Sequence, residues 1–406
     1  MNLEKKLKVG AIGYGGRSRS YLSNWIRVNR AKVVSLCDWN PEALKAGAEV
    51  AGLKPEQCYQ DYKEWAKDKE TEAVSVVIAD QMHAPVSIAC MENGKHVAVE
   101  KCMSRSLNEC QAMIDTARKN NVKLMATHDR RFLRSNATAK HWIEKGRIGP
   151  VYGYATICRH YMPGTIGPIG ASIWRMPGET VGGGSLMSHG VHLVDLCLWF
   201  FGPVEEVSAF WPNETVRGER WIVLILRHRN GVLGTFYSSY MPGRHSEELF
   251  QIYGEEGSIE VGSLTTGGRT VTLWQQLYQF GKEPPRMPEP LPQMRMFRGE
   301  RGRGEGRVAE RLVVDTQPNG IFLELEHFTN SILDDTPLIM TGEDGKNAVE
   351  VCVAAYLSAA KKRPQSLPLT KNEYDEWDAK YGASFDMERY KKRTMERKPG
   401  ADLSRV

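Results

Sequence analysis

The chain has 406 residues, which exceeds the length of one typical domain and predicts two domains that share an interface. Hydrophobic residues make up 41% of the chain, enough to build real cores. The net charge of +5 is mild for this length and gives no sign of the concentrated basic face of a nucleic-acid binder, so nucleic acid is excluded as a partner.

Three further observations concern the compartment. The eight cysteines are scattered and include no C-x-x-C pair, which favours a reducing compartment over an oxidising one. No apolar stretch approaches the length of a membrane span. The first strand-like run begins by residue 8, which leaves no room for a signal peptide. We therefore expect a soluble, cytoplasmic protein without a membrane partner.

The chain opens with a strand, a glycine-rich turn and a helix. Lys8–Ile12 is strand-like, Gly13-Tyr14-Gly15-Gly16-Arg17-Ser18 follows at once, and Arg17–Arg27 has helical spacing. Glycines let a backbone turn tightly and approach a pyrophosphate that lies at a helix N-terminus. The third glycine of the G-x-G-x-x-G fingerprint is replaced by Ser18, a small residue that still permits close helix packing.

A second strand-like run, 32–37, ends in Asp38. An acid at this place accepts hydrogen bonds from the hydroxyls of an adenosine ribose and repels a 2′-phosphate. Strand, turn, helix, strand and acid in this order indicate a dinucleotide site that prefers NAD to NADP. Arg17 and Arg19 lie nearby in the sequence and leave NADP open as the less favoured cofactor.

The alternation of strand and helix patterns continues to residue 128. Further strand-like runs lie at 73–78, 96–99 and 122–127, with helical stretches at 41–51, 84–93 and 106–119. This order predicts a doubly wound parallel sheet. Lys101 follows the run Val97–Val99 and Glu100, so it is delivered to the carboxyl end of the sheet, where ligands bind. A lysine there can polarise a substrate oxygen.

The sequence pattern changes after Pro150. Runs rich in β-branched and aromatic residues occur at 151–157, 206–211, 221–227, 232–238, 250–253 and 270–274. Short turns with Gly or Asn-Gly separate several of them, which predicts antiparallel hairpins in an open sheet. Helical stretches at 184–201, 321–332 and 347–361 accompany this sheet.

Two segments have a polar, charged composition. Residues 295–311 contain six arginines, three glutamates and several glycines, which favours a mobile solvated loop, with a subunit contact or an anion site as the alternative. Residues 371–406 are predicted to form a C-terminal arm that wraps a neighbouring subunit.

Several of these motifs together resemble the Gfo/Idh/MocA family of NAD(P)-dependent oxidoreductases. They are Gly13-Tyr14-Gly15, His83, Gly94-Lys95-His96-Val97, Glu100-Lys101, Arg131-Phe132, Gly146-Arg147-Ile148-Gly149, and Gly182-Gly183-Gly184 before the helix with His192 and Asp195. The resemblance extends from about residue 7 to residue 368. It implies a Rossmann domain at 1–128 and an α/β domain at 129–370, whose open sheet often forms the subunit interface. A dimer or tetramer is therefore expected.

The family usually oxidises or reduces a secondary alcohol of a sugar or cyclitol. The resemblance implies that Lys101 orients the oxygen and that His192 takes the proton. The predicted substrate contacts are Ser188, His189, Arg159, His160, Trp174 and Arg175, of which Arg159, His160 and Arg175 lie in or near predicted site loops. Arg244 is a further candidate for holding an anionic sugar substituent. The implied cofactor-binding residues are Gly13, Tyr14, Gly15, Arg17, Ser18, Asp38, Ala79, His83, Glu100 and Lys101.

The chain departs from the family pattern at two positions. Cys102 replaces the proline of Glu-Lys-Pro, so a cis peptide is not expected there. Ser188 replaces the aspartate of Asp-x-Gly-x-His, which removes a hydrogen-bond partner for the substrate or for His192. His189 and His192 are three residues apart and can share a helix face. They lack a third ligand in a metal-binding pattern, so no metal is expected.

Two alternative functions stay open. The sequence Ser188-His189-Gly190 also resembles the NAD-dependent glycosidases of the same fold, which oxidise a sugar transiently, eliminate the aglycone, add water and return the hydride. A non-catalytic sensor of dinucleotide and sugar is the second alternative. Lys101 and His192 argue against it, because a sensor needs no proton acceptor.

Overall fold

The structure is a computed structural model that describes residues 5–161, 183–212, 219–241, 246–264, 268–276, 307–314 and 320–381. The first sheet consists of β1 (Leu7–Ile12), β2 (Ala31–Cys37), β3 (Cys58–Tyr59), β4 (Ala73–Val76), β5 (His96–Glu100) and β6 (Leu124–Thr127). All its pairings are parallel, in the order β3-β2-β1-β4-β5-β6. The order reverses between β1 and β4, which opens a crevice at their carboxyl ends.

Helices connect these strands. They are α1 (Gly16–Trp25), α2 (Pro41–Ala51), α3 (Tyr62–Trp65), α4 (His83–Glu92) and α5 (Leu107–Lys119). The limits of α2 follow from its ends: the Asn40 side chain accepts hydrogen bonds from the backbone of Glu42 and Ala43, and Gly52 ends the helix with a φ of 65°. This region is the predicted doubly wound parallel sheet, and that prediction is confirmed.

The second sheet has nine strands within the described residues, in the order β14-β13-β12-β11-β7-β10-β9-β8-β15. They are β7 (Val151–Tyr161), β8 (Val204–Phe210), β9 (Trp221–His228), β10 (Leu233–Met241), β11 (Glu247–Gly254), β12 (Gly257–Leu264), β13 (Gly268–Gln276), β14 (Arg307–Val314) and β15 (Gln365–Ser366). Only β7 and β10 pair in parallel there. The predicted open, mainly antiparallel sheet is thus confirmed.

Helices cover one face of this sheet. After α6 (Arg134–Glu144), a π-helical turn over Leu186–Gly190 continues into α7 (Val191–Phe201). Further helices are α8 (Gly320–Leu333), α9 (Gly342–Lys361) and α10 (Lys371–Tyr381). Phe201 of α7 stacks on Tyr154 of β7 with ring centroids 4.4 Å apart. The other face leaves large apolar side chains exposed, among them Phe210, Ile225 and Leu233 at 67%, 48% and 52%.

The structure changes one prediction about the charged segment at 295–311. Residues 307–311 are not a solvated loop, because they lie in β14. The pairing of Leu273 with Glu310 and of Val271 with Leu312 shows why: β13 provides backbone partners that the composition of the segment does not reveal. Residues 295–306 lie outside the described residues.

The C-terminal helix α10 packs against α5 of the Rossmann domain and α9 of the second domain in its own chain. Trp377 is buried, its ring stacks on Tyr356 at 5.2 Å, and its indole nitrogen donates to the carbonyl of Arg105 at 3.0 Å. Asp378 accepts hydrogen bonds from Ser106 and Asn108 at the start of α5. The remaining residues of the predicted arm, 382–406, lie outside the described part of the chain. Among the described helices, none is both long and apolar enough to cross a membrane.

Candidate active site

A cleft of about 360 Å³ follows the carboxyl ends of the parallel strands. Its walls include most of the cofactor-binding residues predicted from the sequence: Gly13, Tyr14, Gly15, Arg17, Ser18, Asp38, Ala79, Glu100 and Lys101. Ser188 from the second domain lines the same cleft. The fold therefore brings the glycine turn, the acid after β2 and the lysine after β5 to one cavity.

The glycine turn is crowded at its first residue, where a side chain does not fit, and open at its last residue. Gly13 has a φ of 91°, and a Cβ there would lie 2.7 Å from the carbonyl oxygen of Val77. Gly16 has no neighbour within 4 Å of an added Cβ. The backbone of α1 thus begins beside an empty part of the cleft, where a phosphate can approach the amides.

Asp38 is held in place by the backbone. Its carboxylate accepts hydrogen bonds of 2.8 Å from the amides of Tyr14 and Asn40. Burial raises the pKa of Asp38, although these two amides act in the opposite direction. Each carboxylate oxygen keeps lone-pair capacity for a ribose hydroxyl. These residues fit a dinucleotide with an unmodified ribose.

Arg17 does not extend along the cleft as a free cation. Its Nε lies 3.0 Å from Oε1 of Glu100, and its Nη2 lies 3.2 Å from Oδ2 of Asp129. The guanidinium therefore joins the start of α1 to the ends of β5 and β6. Its charge is shared between two buried carboxylates.

His83 lies outside the cleft lining, although the resemblance implies a cofactor contact for it. It is fully buried, with Nδ1 2.9 Å from the carbonyl oxygen of Cys102 and Nε2 3.2 Å from that of Ile78. The structure gives His83 a supporting position beneath the loop after β5.

The peptide bond between Lys101 and Cys102 is cis, so the expectation of a trans bond was wrong. That expectation rested on the intrinsic preference of a non-proline peptide. Tertiary contacts override it here, since Cys102 is buried and its carbonyl oxygen lies within hydrogen-bonding distance of His83.

Lys101 reaches the second domain. Its Nζ donates a hydrogen bond of 2.7 Å to the carbonyl of Ser188, in the π-helical turn that precedes α7. His192 lies four residues further along, about one helical turn away. An ammonium has three donors, so Lys101 keeps two for a ligand after this contact.

His192 is buried and neutral at physiological pH. Burial lowers its pKa well below the ordinary value, and the positive charges of Arg130 and Lys101 lower it further. Its ring packs edge-on against His128, with centroids 5.6 Å apart. Burial also lowers the pKa of His128. A neutral imidazole can accept a proton.

Asp129, Arg130 and Glu248 form a buried ion-pair chain beside His192. Nη1 of Arg130 lies 2.9 Å from Asp129, and its Nε and Nη2 hold the carboxylate of Glu248 at 2.9 and 2.6 Å. Burial alone would raise the pKa of Asp129, but Arg130 and Arg17 outweigh it, so the pKa lies below the usual range.

Three of the predicted substrate residues, Arg159, His160 and His189, lie near the Glu248 end of this ion-pair chain. His160 Nε2 is 3.3 Å from Glu248, and the rings of His160 and His189 are 4.4 Å apart. Nδ1 of His189 lies 3.1 Å from the hydroxyl of Tyr240. Nη2 of Arg159 is ion-paired with Glu247 at 2.8 Å.

Trp174, Arg175 and Arg244 lie outside the described residues. Conversely, the sequence analysis did not single out Asp129, Arg130 or Glu248. A signal for Asp129 was present, because it follows β6 as Lys101 follows β5, and both strands end at the same edge. Glu248 gave no such signal, since its partner Arg130 is 118 residues away.

Two family profiles match the chain. Residues 7–128 match the oxidoreductase family with an NAD-binding Rossmann fold, and residues 136–260 match the GFO/IDH/MocA C-terminal domain. The chain belongs to the Gfo/Idh/MocA family. It is therefore an NAD-binding oxidoreductase, and the predictions of family, enzyme class and cofactor are confirmed.

Three similar proteins extend this comparison. Myo-inositol 2-dehydrogenase of Thermotoga maritima is 24% identical over 370 residues, 89% of this chain and 98% of that protein. Levoglucosan dehydrogenase, solved with NADH and levoglucosan, has the same fold, with a TM-score of 0.75 and 20% identity over 90% of this chain and 100% of that one. A glycosyl hydrolase family 109 protein of Shewanella pealeana is 26% identical over 150 residues, 35% of this chain and 33% of that protein.

Proposed function

We propose that this Gfo/Idh/MocA protein transfers a hydride between a secondary alcohol of a sugar, sugar derivative or cyclitol and NAD. The observation that carries the proposal is the hydrogen bond from Lys101 to Ser188, because it joins the cofactor cleft to the helix of His192. The substrate class follows from relatives named for inositol and levoglucosan.

Lys101 orients the reacting oxygen. Its remaining two donors provide hydrogen bonds to a hydroxyl in the cleft, and its positive charge stabilises the alkoxide character that develops on that oxygen. The contact with Ser188 fixes the direction of the ammonium, so little reorganisation is needed when a substrate binds.

His192 takes the hydroxyl proton during oxidation and returns it during reduction. Its neutral state supports this role, because an imidazole that is already protonated cannot act as a base. Bound NAD supplies the nicotinamide that accepts the hydride from the same carbon. One proton and one hydride thus leave the alcohol, which becomes a ketone.

The test measures NADH formation by its absorbance with the purified protein, NAD and a panel of sugars and cyclitols. We expect stoichiometric NADH with at least one alcohol, and its loss in His192→Ala. Glu56→Gln, an exposed substitution before β3, provides the control for handling and expression. A panel that yields no NADH, or a His192→Ala variant with parental activity, would contradict the proposal.

The NAD-dependent glycosidase reaction is the alternative, supported by the partial match to a glycosyl hydrolase family 109 protein. Nitrophenyl glycosides with catalytic amounts of NAD discriminate between the two. Release of nitrophenol without accumulation of NADH would favour the glycosidase and reject net oxidation.

We also propose that the open sheet forms a dimer or tetramer interface. Phe210, Trp221, Ile225 and Leu233 are exposed on strands β8 to β10, and exposed apolar patches mark association surfaces. The double variant Ile225→Lys, Leu233→Lys should shift the mass measured by light scattering toward the monomer. An exposed double change on α5, Asp115→Lys with Ala112→Lys, is the control. An unchanged mass in the sheet variant would reject this interface.

A further inference from the structure

His192 has a carboxylate beside it that does not come from its own helix. The family motif provides an aspartate four residues before the histidine, where this chain has Ser188. The fold instead brings Asp129 from the turn after β6, with Oδ1 3.8 Å from Nδ1 of His192. A residue just after the last strand of the parallel sheet thus lies beside the histidine of α7.

The nitrogen that faces Asp129 has no other partner. Nδ1 of His192 is buried and makes no hydrogen bond within the described residues, and the residue is only 4% exposed. A buried polar nitrogen without a partner is costly. Asp129 is the acceptor at hand, and a shift of less than 1 Å would complete the hydrogen bond.

The ion pairs of Asp129 fix its position and keep it ionised, so it can accept this hydrogen bond. Asp129 is buried, and its two oxygens are held by Arg130 at 2.9 Å and by Arg17 at 3.2 Å. These cations keep its pKa below the usual range against the effect of burial, so the carboxylate is ionised at neutral pH. An ionised carboxylate only accepts hydrogen bonds, and it requires a proton on the facing nitrogen.

We propose that Asp129 is the positioning residue of His192, which holds the ring proton on Nδ1 and leaves Nε2 as the atom that exchanges the substrate proton. The hydrogen bond of one ring nitrogen sets the tautomer of the other. Catalytic hydrogen bonds are often long before the substrate binds and shorten in the complex, which accounts for the distance of 3.8 Å. Only the statement about substrate depends on the proposed function.

The tautomer of His192 provides a test that needs no substrate. Nitrogen-15 NMR of the histidine rings distinguishes Nδ1–H from Nε2–H, and the difference spectrum with His192→Gln assigns the resonance among the ten histidines. We expect Nδ1–H in the unmodified protein. Asp129→Asn leaves one acceptor oxygen for which Arg17 and Arg130 compete with His192, so the fraction of Nδ1–H should fall, whereas Asp129→Glu should keep the proton on Nδ1. Nε2–H in the unmodified protein would overturn the assignment even if Asp129→Asn did not fold.

Kinetics provide the second readout. A change of carboxylate to amide beside a catalytic histidine, with the geometry intact, lowers kcat by roughly 10²- to 10⁴-fold through the wrong tautomer. We expect a loss in this range for Asp129→Asn, with the Kd for NAD within about threefold of the parent. Asp344→Asn, which removes a carboxylate 3.2 Å from the neighbouring Arg131, is the matched control.

The two failures are distinguishable. If no alcohol is oxidised by the unmodified protein, the proposed function fails, and the NMR result still decides the role of Asp129. If Asp129→Asn keeps both the tautomer and kcat of the parent, the positioning role is rejected while the oxidoreductase function stands.

Discussion

The cofactor side and the substrate side of the cleft differ in the chemical groups that line them. On the cofactor side, the cavity is lined within residues 13–40 by the backbone of the glycine turn, by Arg17 and by Asp38, and the carboxylate of Asp38 is fixed by the amides of Tyr14 and Asn40. On the substrate side, charged side chains from separate segments meet: Lys101, Asp129, His192 and Glu248. Local backbone geometry determines the cofactor side, and ion pairs between residues far apart in the sequence determine the substrate side.

This difference predicts how each side responds to substitution. A change on the cofactor side alters one binding contact or one turn. A change on the substrate side disturbs groups whose charges and protonation depend on one another, because Arg130 pairs with two carboxylates and also lowers the pKa of His192. Four substitutions test this contrast, from the largest expected effect to the smallest.

Lys101→Ala should reduce turnover most. The loss of a group that orients and polarises the oxygen costs roughly 10²- to 10⁴-fold in kcat. Binding of NAD, measured by fluorescence titration, should stay close to that of the parent. Lys119→Ala, an exposed lysine at the end of α5, is the control. Near-parental kcat in Lys101→Ala would show that the substrate side has been assigned to the wrong residues.

Gly13→Ala should destabilise the glycine turn. The added Cβ would lie 2.7 Å from the carbonyl oxygen of Val77, and the φ of 91° is itself unfavourable. Overpacking of about 1–3 kcal/mol adds to a conformational cost of about 1–2 kcal/mol in the free energy of unfolding. Gly52→Ala, with a φ of 65° and no neighbour within 4 Å, isolates the conformational cost. Equal losses in a denaturant titration of both variants would contradict the steric argument.

Asp38→Ala should weaken NAD binding by roughly tenfold or more, since a hydrogen bond to a charged group contributes about 1.5–3 kcal/mol. Discrimination against NADP should decrease at the same time. Competitive titration with both cofactors measures this, with the exposed Asp115→Ala on α5 as control. If the unmodified protein binds both cofactors equally, Asp38 does not select the ribose.

Glu324→Gln tests the buried charges behind the site. Burial, and then the charge of Asp129, raise the pKa of Glu324 well above its ordinary value, so folding keeps it protonated. The folded state then binds the extra proton, and stability falls as the pH rises through the unfolded value of about 4.5. Glutamine avoids this cost.

The glutamine variant should therefore be more stable than the parent near pH 7, by more than the roughly 0.5 kcal/mol scatter of surface substitutions. The difference should disappear below about pH 4, where both side chains are neutral in both states. Denaturant titrations at the two pH values measure it, with Glu326→Gln on the same helix as control. A glutamine variant that is less stable than the parent near pH 7 would contradict the raised pKa of Glu324.

Much of the first domain was predictable because its signals are local. Asn40, Pro41 and Gly52 mark the two ends of α2, and the predicted limits 41–51 agree with the structure. The two-residue strand β3 was missed because Cys58 and Tyr59 are too short a run for any periodicity. In the second sheet, β12 was missed although the turn at Glu255 and Glu256 joins it directly to β11.

The residues of the site were also predictable only where a local sequence signal marks them. The glycine turn, Asp38 and Lys101 are marked by their position at strand ends, and the structure brings them to one cleft. The environment of His192 was not readable, because Asp129, Arg130 and Glu248 acquire their roles only when β6, β11 and α7 meet. The cis peptide at Cys102 was missed for a similar reason, since the intrinsic preference of the residue pointed the other way.

The ion pairs of Arg17 have a practical meaning for changing the cofactor. An engineer who wants NADP in place of NAD would look for a nearby cation to hold the extra phosphate, and Arg17 is close in the sequence. Its guanidinium is already committed to Glu100 and Asp129, so recruiting it would leave two buried acids without a counter-charge. A redesign should introduce its cation at Trp39, which follows Asp38 in the cleft lining and is away from that network.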